Sequence, residues 1–295
     1  EKHISPHLGL RFGVVYYKTS WCRNYESDSV WIRDVEPLCN FQNFRDIAGG
    51  APGLQAFIQN DWGPYLLQAQ AGIYRPRLWG YAPKEFGDLA PVPNPSYSYN
   101  VESNKKTGIN LNVLDLRNGS EIRLSYIHGI QRAYAPADDL KSTTRQTSDA
   151  IYAAISFPVS PKLSGRLSRF EQTQNSTCRS EMANSQCNLN IFFKKQFTSI
   201  DAAYILTTSQ TLGLGITQVR YDFEQDAYDP SLLIYLKSPE RNIQVIQKTA
   251  AWRINWMTNF FTIVQYIDTK QTTHYSAGQY PSNGWALGLR AGYLF

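Results

Sequence analysis

Period-two alternation runs through most of this chain, and helical periodicity is scarce. The C-terminus states it most clearly. In WALGLRAGYLF, Trp285, Leu287, Leu289, Ala291, Tyr293 and Phe295 fall on one face, with Ala286, Gly288, Arg290, Gly292 and Leu294 on the other. Near the start, Leu8, Leu10, Phe12 and Val14 alternate with Gly9, Arg11 and Gly13. Ile122, Leu124 and Tyr126 alternate with Glu121, Arg123 and Ser125; Ile151, Ala153, Ile155 and Phe157 with Tyr152, Ala154 and Ser156. Leu189, Ile191 and Phe193 read as a further apolar face, opposite Asn190 and Lys194.

Polarity then narrows the fold. A soluble β-sandwich alternates too, but its outward face is charged. Here one face of each strand is almost purely apolar and aromatic, and the other carries Asn, Gln, Ser, Gly and scattered charges, too polar for a dry core. Apolar outside and polar inside is the pattern that hydrocarbon imposes on a closed sheet. Composition agrees: aromatics are 14% and charged residues 18%, below the roughly 25% charged of an average soluble domain. A disordered chain would lack those aromatics. A helical membrane protein would need a run of about 20 apolar residues, which is absent.

The connections alternate between short and long. Tight turns are read at 61–64 (DWGP), 117–120 (RNGS, with the hairpin pair Asn118-Gly119), 159–162 (VSPK), 195–199 (KQFTS) and 256–259 (WMTN). Long loops are read at 20–51, 81–96, 134–147, 175–187, 209–241 and 271–283, with 212–223 open to a strand extension or an extra hairpin. Interleaving them gives twelve strands. The expectation is an all-β, transmembrane antiparallel β-barrel forming one domain over 1–295, with short periplasmic turns and long extracellular loops.

The terminal Phe295, with Tyr293 two residues before it and Leu289 and Leu287 behind, resembles the terminal signal of Gram-negative outer-membrane β-barrel proteins. Arg290 stands where many such signals have Gly. The resemblance implies outer-membrane localisation, recognition by the barrel-assembly machinery, and contact with lipid bilayer and lipopolysaccharide. An opening EKHISPHL without Met fits a product from which a signal peptide was removed.

Inside such a barrel the bases would be Arg11, Arg123, Arg166, Lys194, Arg253 and Arg290, and the acids Glu121 and Asp201. Arg11 and Arg290 would be neighbours where the first and last strands meet. In a narrow lumen the surplus of bases favours small polar or anionic solutes. Internal ion pairing that fills the lumen is the other reading, and the sequence leaves both open. Tyr74, Tyr152, Phe192 and Tyr17 could serve as a sugar slide. The four cysteines fall in proposed loops; three pairings are open, of which Cys22–Cys39 and Cys178–Cys187 are simplest, and an oxidising compartment suits them.

Enzyme signals are sparse. His274-Tyr275-Ser276 resembles the His-x-Ser of outer-membrane phospholipases and lipid A deacylases, but Ala277 replaces the Asn that follows in those families. No nucleotide, zinc-protease or calcium motif is present, and the net charge of +5 is spread along the chain, which argues against nucleic acid. No catalytic residue, cofactor or metal is assigned. The expected activity is a monomeric porin-like channel for small polar solutes; a non-conducting adhesin or receptor barrel acting through its loops is the alternative. A lipid hydrolase and an autotransporter translocator rank below both.

Overall fold

The computed structural model describes residues 2–5, 7–16, 50–74, 100–135, 142–179, 189–229, 234–237, 241–257, 260–275 and 278–293. Among them there is no helix. Fourteen strands follow one another: β1 (Lys2–His3), β2 (Leu8–Tyr16), β3 (Gly50–Trp62), β4 (Tyr65–Tyr74), β5 (Asn100–Asp115), β6 (Glu121–Ala135), β7 (Ser142–Ser160), β8 (Leu163–Arg179), β9 (Leu189–Thr207), β10 (Gln210–Asp229), β11 (Ile234–Lys237), β12 (Arg241–Asn255), β13 (Phe260–Tyr275) and β14 (Gly278–Tyr293). Each pairs antiparallel with its predecessor in one sheet, except that β12 bypasses β11 to join β10 directly. Setting aside the two-residue β1 and four-residue β11 leaves twelve long strands, the number expected from the turn rhythm.

The sheet is open. β14 bonds only β13, and β2 bonds β3 along its length and β1 at Gly9 and Leu10. No pairing joins β2 to β14, so closure into a barrel is not part of this architecture as described.

One face is enclosed and the other is bare. The enclosed face carries Gln55, Arg123, Arg166, Lys195, Ser199 and Thr217 among Phe170, Phe197 and Val219, all buried. The bare face carries Phe12, Ile58, Ile109, Leu124, Ile151, Leu167, Ile200, Leu214 and Trp252. Polar groups are therefore buried and large apolar ones exposed, the reverse of a water-soluble core. On β14 both faces are exposed from 278 to 289, because nothing described lies beyond it.

Four of the five expected tight turns are present. Gly63, at φ 59°, closes β3–β4, and Gly119, at φ 76°, closes β5–β6. In the second, Asn118 Oδ1 accepts from the Ser120 amide at 2.8 Å, and the Gly119 amide donates to the Asp115 carbonyl at 2.7 Å. Arg117 beside it clasps Asp115 at 2.8 Å and lies over the Tyr65 ring; the hydrogen bond to Asp115 holds its guanidinium above its usual pKa.

The fifth turn is a correction. Residues 195–199 are the middle of β9, and the reversal falls at 208–209 instead. Lys195 and Gln196 look like a turn by polarity, but alternation continues through them: Lys195, Phe197, Ser199, Asp201 and Ala203 share the enclosed face. The same error inverts the start of β9, where Ile191 is enclosed and Asn190 and Lys194 lie on the other face. The expected loop at 209–241 is largely β10, and the one at 271–283 is reduced to a short connection between β13 and β14.

Replacing Gly119 with Ala tests the hairpin chemistry. Open space surrounds the new methyl, so the penalty comes from the left-handed backbone alone. We expect a loss of about 1–2 kcal/mol of unfolding free energy, seen as a lower denaturant midpoint of refolded protein; an unchanged midpoint would show that the turn does not fix the β5–β6 register.

Candidate functional site

The enclosed face is layered. Along one ladder row lie Tyr152, Phe170, Phe197 and Val219, on β7 to β10. Above it Gln172 pairs with Lys195, which lies 5.6 Å from the centre of the Tyr221 ring. Below it run Ser168, Ser199 and Thr217, and one row further down Arg166 faces Asp201. Phe197 is 0% exposed, so this half of the enclosed face is filled by side chains.

Of the predicted lumen residues, Arg166 and Asp201 lie in this half. Arg166 donates to one Asp201 oxygen through Nε at 3.2 Å and Nη2 at 3.0 Å, both side chains being 2% exposed, while Ser199 Oγ donates to the same oxygen at 2.6 Å. Arg123 pairs with Glu121 at 2.8 Å. Arg11 sits 4.3 Å from the centre of the Phe57 ring. Arg253 sits 4.6 Å from the Phe261 ring and donates to Asn255 at 2.9 Å. Arg290 is the ladder partner of Ile263.

Lys194 is a second correction. It lies on the bare face and bonds Glu171 at 2.9 Å, with Arg169 3.7 Å from the same carboxylate. A strand switches faces at each residue, so the misplaced turn moved Lys194 inward and hid Lys195. Phe192 shares the face of Lys194, while Tyr152 is enclosed.

A second half of the enclosed face is amide-lined. Gln55 donates to Gln70 at 3.3 Å, Gln68 to Gln59 at 3.2 Å and Asn112 to Gln68 at 3.4 Å, while Ser125 donates to Asn110 at 2.8 Å. Gln59, Gln68 and Asn112 share one ladder row, and Gln70 and Asn110 lie in the next row on the same face, that of the buried Gln55.

The bare face carries a pattern of its own. Ladder rows run straight across the sheet, but the apolar belt crosses them obliquely. One row is apolar at Phe12, Leu54 and Ile73 and turns polar at Thr107, His128 and Asp149, on β5 to β7. Four positions lower, Leu8, Ile58, Ala69, Leu111, Leu124 and Ala153 are apolar, and polarity starts at Arg169 on β8, with Ile246 an exception further along. Two positions lower again, Ile122, Ile155, Leu167, Ile200 and Ile216 are apolar up to Lys248 and Asp268 on β12 and β13; Trp285 follows. Another four down, Leu163, Tyr204, Leu212, Trp252, Val264 and Leu289 are apolar to the last strand. The border thus drops by about one residue per strand, the stagger of a tilted sheet.

Just past that border sit polar clusters. Asp149 accepts from the Tyr126 hydroxyl at 2.7 Å and lies 2.8 Å from His128 Nδ1. Asn242 donates to Asp222, which also holds Arg220 at 3.0 Å. His274 stands opposite Asn242 in the ladder; Ser276 lies outside the described residues. Cys22, Cys39, Cys187 and Phe295 also lie outside them, as does Tyr17; Cys178 is near the end of β8, and Tyr293 ends β14. Among the described residues no group of three His, Cys, Asp or Glu is placed to hold a metal.

No family model, curated protein or solved structure matches this chain.

The Arg166–Asp201 pair generates a clear expectation. Arg166→Ala leaves a buried carboxylate behind and should cost about 3–5 kcal/mol in denaturant unfolding, whereas Arg166→Met with Asp201→Leu should be near neutral. A double variant as damaged as the single one would mean that the charges themselves are required.

Proposed function

We propose that this chain is an outer-membrane β barrel of twelve long strands that serves as a constricted channel for small polar solutes. The observation that carries the reading is the inverted sheet, with an apolar belt on the bare face and amides, hydroxyls and paired charges on the enclosed one. Lipid accepts the first face and water or a polar solute the second. The oblique belt adds to it, since a flat bilayer cuts tilted strands at a different residue on each.

Selectivity in this reading differs from a simple basic ring. Arg123 and Arg166 are matched by Glu121 and Asp201, and Lys194 belongs to the outer wall. The amide row of β3 to β5, flanked by Arg11 and Arg253, is the path a hydrogen-bonding solute would follow. The filled half over β7 to β10 narrows it. No catalytic role is assigned to any residue. Partners in this reading are the bilayer with its lipopolysaccharide, the assembly machinery and the solute.

A second reading is favoured by that same filled half: a non-conducting barrel whose loops act as an adhesin or receptor surface. Planar-bilayer recording separates the two. A small steady conductance whose anion preference falls in Arg11→Glu and Arg253→Glu variants supports the channel; a silent membrane with inserted protein supports the loop-acting barrel.

The belt makes its own prediction. Leu214→Arg lies inside it and should cost about 2–4 kcal/mol of stability in lipid, and Gln218→Arg, past the border, about 0–1 kcal/mol. Equal costs in lipid vesicles would remove the membrane from the argument.

A further inference from the structure

Among the described residues two long backbone edges are left over, the outer edge of β2 above β1 and the outer edge of β14. Exposed edges of this length are ready templates for pairing. Resting on the barrel reading, we infer that these two edges are each other's partner, in the register that sets Phe12 opposite Tyr293 and Gly13 opposite Gly292.

Three constraints fix that register. The first is stagger. Following ladder partners across the sheet from Leu8 leads to Asn283, ten residues short of the end of β14. Direct closure of Leu8 on Asn283 would leave the last ten residues of that strand hanging below the rim. Closure therefore needs a shift along the strands. The slope of the apolar belt measures it independently: the border falls six residues over the six strands from β4 to β10, which is roughly 12 around twelve strands.

The second constraint is face parity. Gly292 is the ladder partner of the buried Phe261, and Arg11 that of the buried Gln55. Only even shifts keep enclosed positions opposite enclosed positions. Of the even shifts, about 12 matches the measured slope and about 14 is the next above it.

The third is β1. It already occupies the β2 edge at Gly9 and Leu10. The smaller shift would set Tyr293 against Leu10 and drive β14 into β1. The larger one ends β14 at Phe12, just above it. With strands about 4.8 Å apart and a rise of about 3.3 Å per residue, it corresponds to a tilt of about 39°, inside the range that closed barrels adopt.

The seam chemistry suits this choice. By register Phe12 falls opposite Tyr293, and Tyr16 opposite Leu289. On the enclosed side two glycines meet, and the Phe261 ring already covers the space over Gly292 that a side chain would fill.

Cysteine pairs in the full chain, reconstituted in lipid vesicles and mildly oxidised, test the register, with linked peptides identified by mass spectrometry so that the native cysteines do not confuse the result. The expected link joins Phe12→Cys to Tyr293→Cys within one chain, and Val14→Cys to Ala291→Cys repeats the same register should the first pair fold poorly. A preferred link from Tyr293→Cys to Leu10→Cys or Val14→Cys overturns the register and leaves the barrel standing. Links only between two chains, or none from any pair, overturn closure by these edges and the barrel reading with it.

Discussion

Ladder hydrogen bonding is the constraint on which this structure rests. A sheet of twelve long strands satisfies its backbone groups sideways, so each strand depends on its neighbours and only the two ends are left unsatisfied. Everything else is arranged on that lattice. Side chains are sorted into two faces by the pleat, and what distinguishes this chain is which face receives the polar groups. Arg166, Asp201, Lys195, Gln55 and Thr217 are enclosed, while Ile200, Leu214 and Leu124 are bare. In water that assignment would be self-defeating. In hydrocarbon it is the stable one.

The enclosed charges show how such a face can be filled without a conventional core. Arg166 and Asp201 face each other across one rung, Ser199 donates to the same carboxylate oxygen, and an aromatic row lies two rungs above. Guanidinium groups near the two ends of the sheet lean on rings instead: Arg11 on Phe57 and Arg253 on Phe261. Both rings in turn cover a glycine of the neighbouring strand, Gly9 and Gly292. The two ends of the sheet thus carry the same device, a glycine shielded by a phenylalanine that also receives an arginine.

Much of this was legible in the sequence because the pleat period is two and the polarity contrast is sharp. The all-β class, the twelve long strands and four of the five tight turns followed from alternation and from signals such as Asn118-Gly119. The error at β9 has a physical origin. Lys195 and Gln196 are polar neighbours between two apolar runs, which is how a turn reads locally, yet here one is enclosed and the other is bare. A buried lysine is costly enough that a sequence argument does not expect it, and one wrong turn shifts parity for Asn190, Phe192 and Lys194 together. Pairwise chemistry across strands, such as Arg166 with Asp201 or His128 with Asp149, depends on register and lies beyond a one-dimensional reading.

Strand length has a last consequence. β7, β9 and β10 run for 19 to 20 residues, while the apolar belt occupies only the half nearest the tight turns. In the proposed barrel their upper halves stand clear of the bilayer as a pleated collar faced with Asp149, Lys194 and Asp222. What an antibody or a protease would meet on those strand walls is then a hydrogen-bonded lattice of ion pairs at fixed spacing. Such a wall offers little slack backbone to cleave, and recognition there is of a rigid pattern of charges.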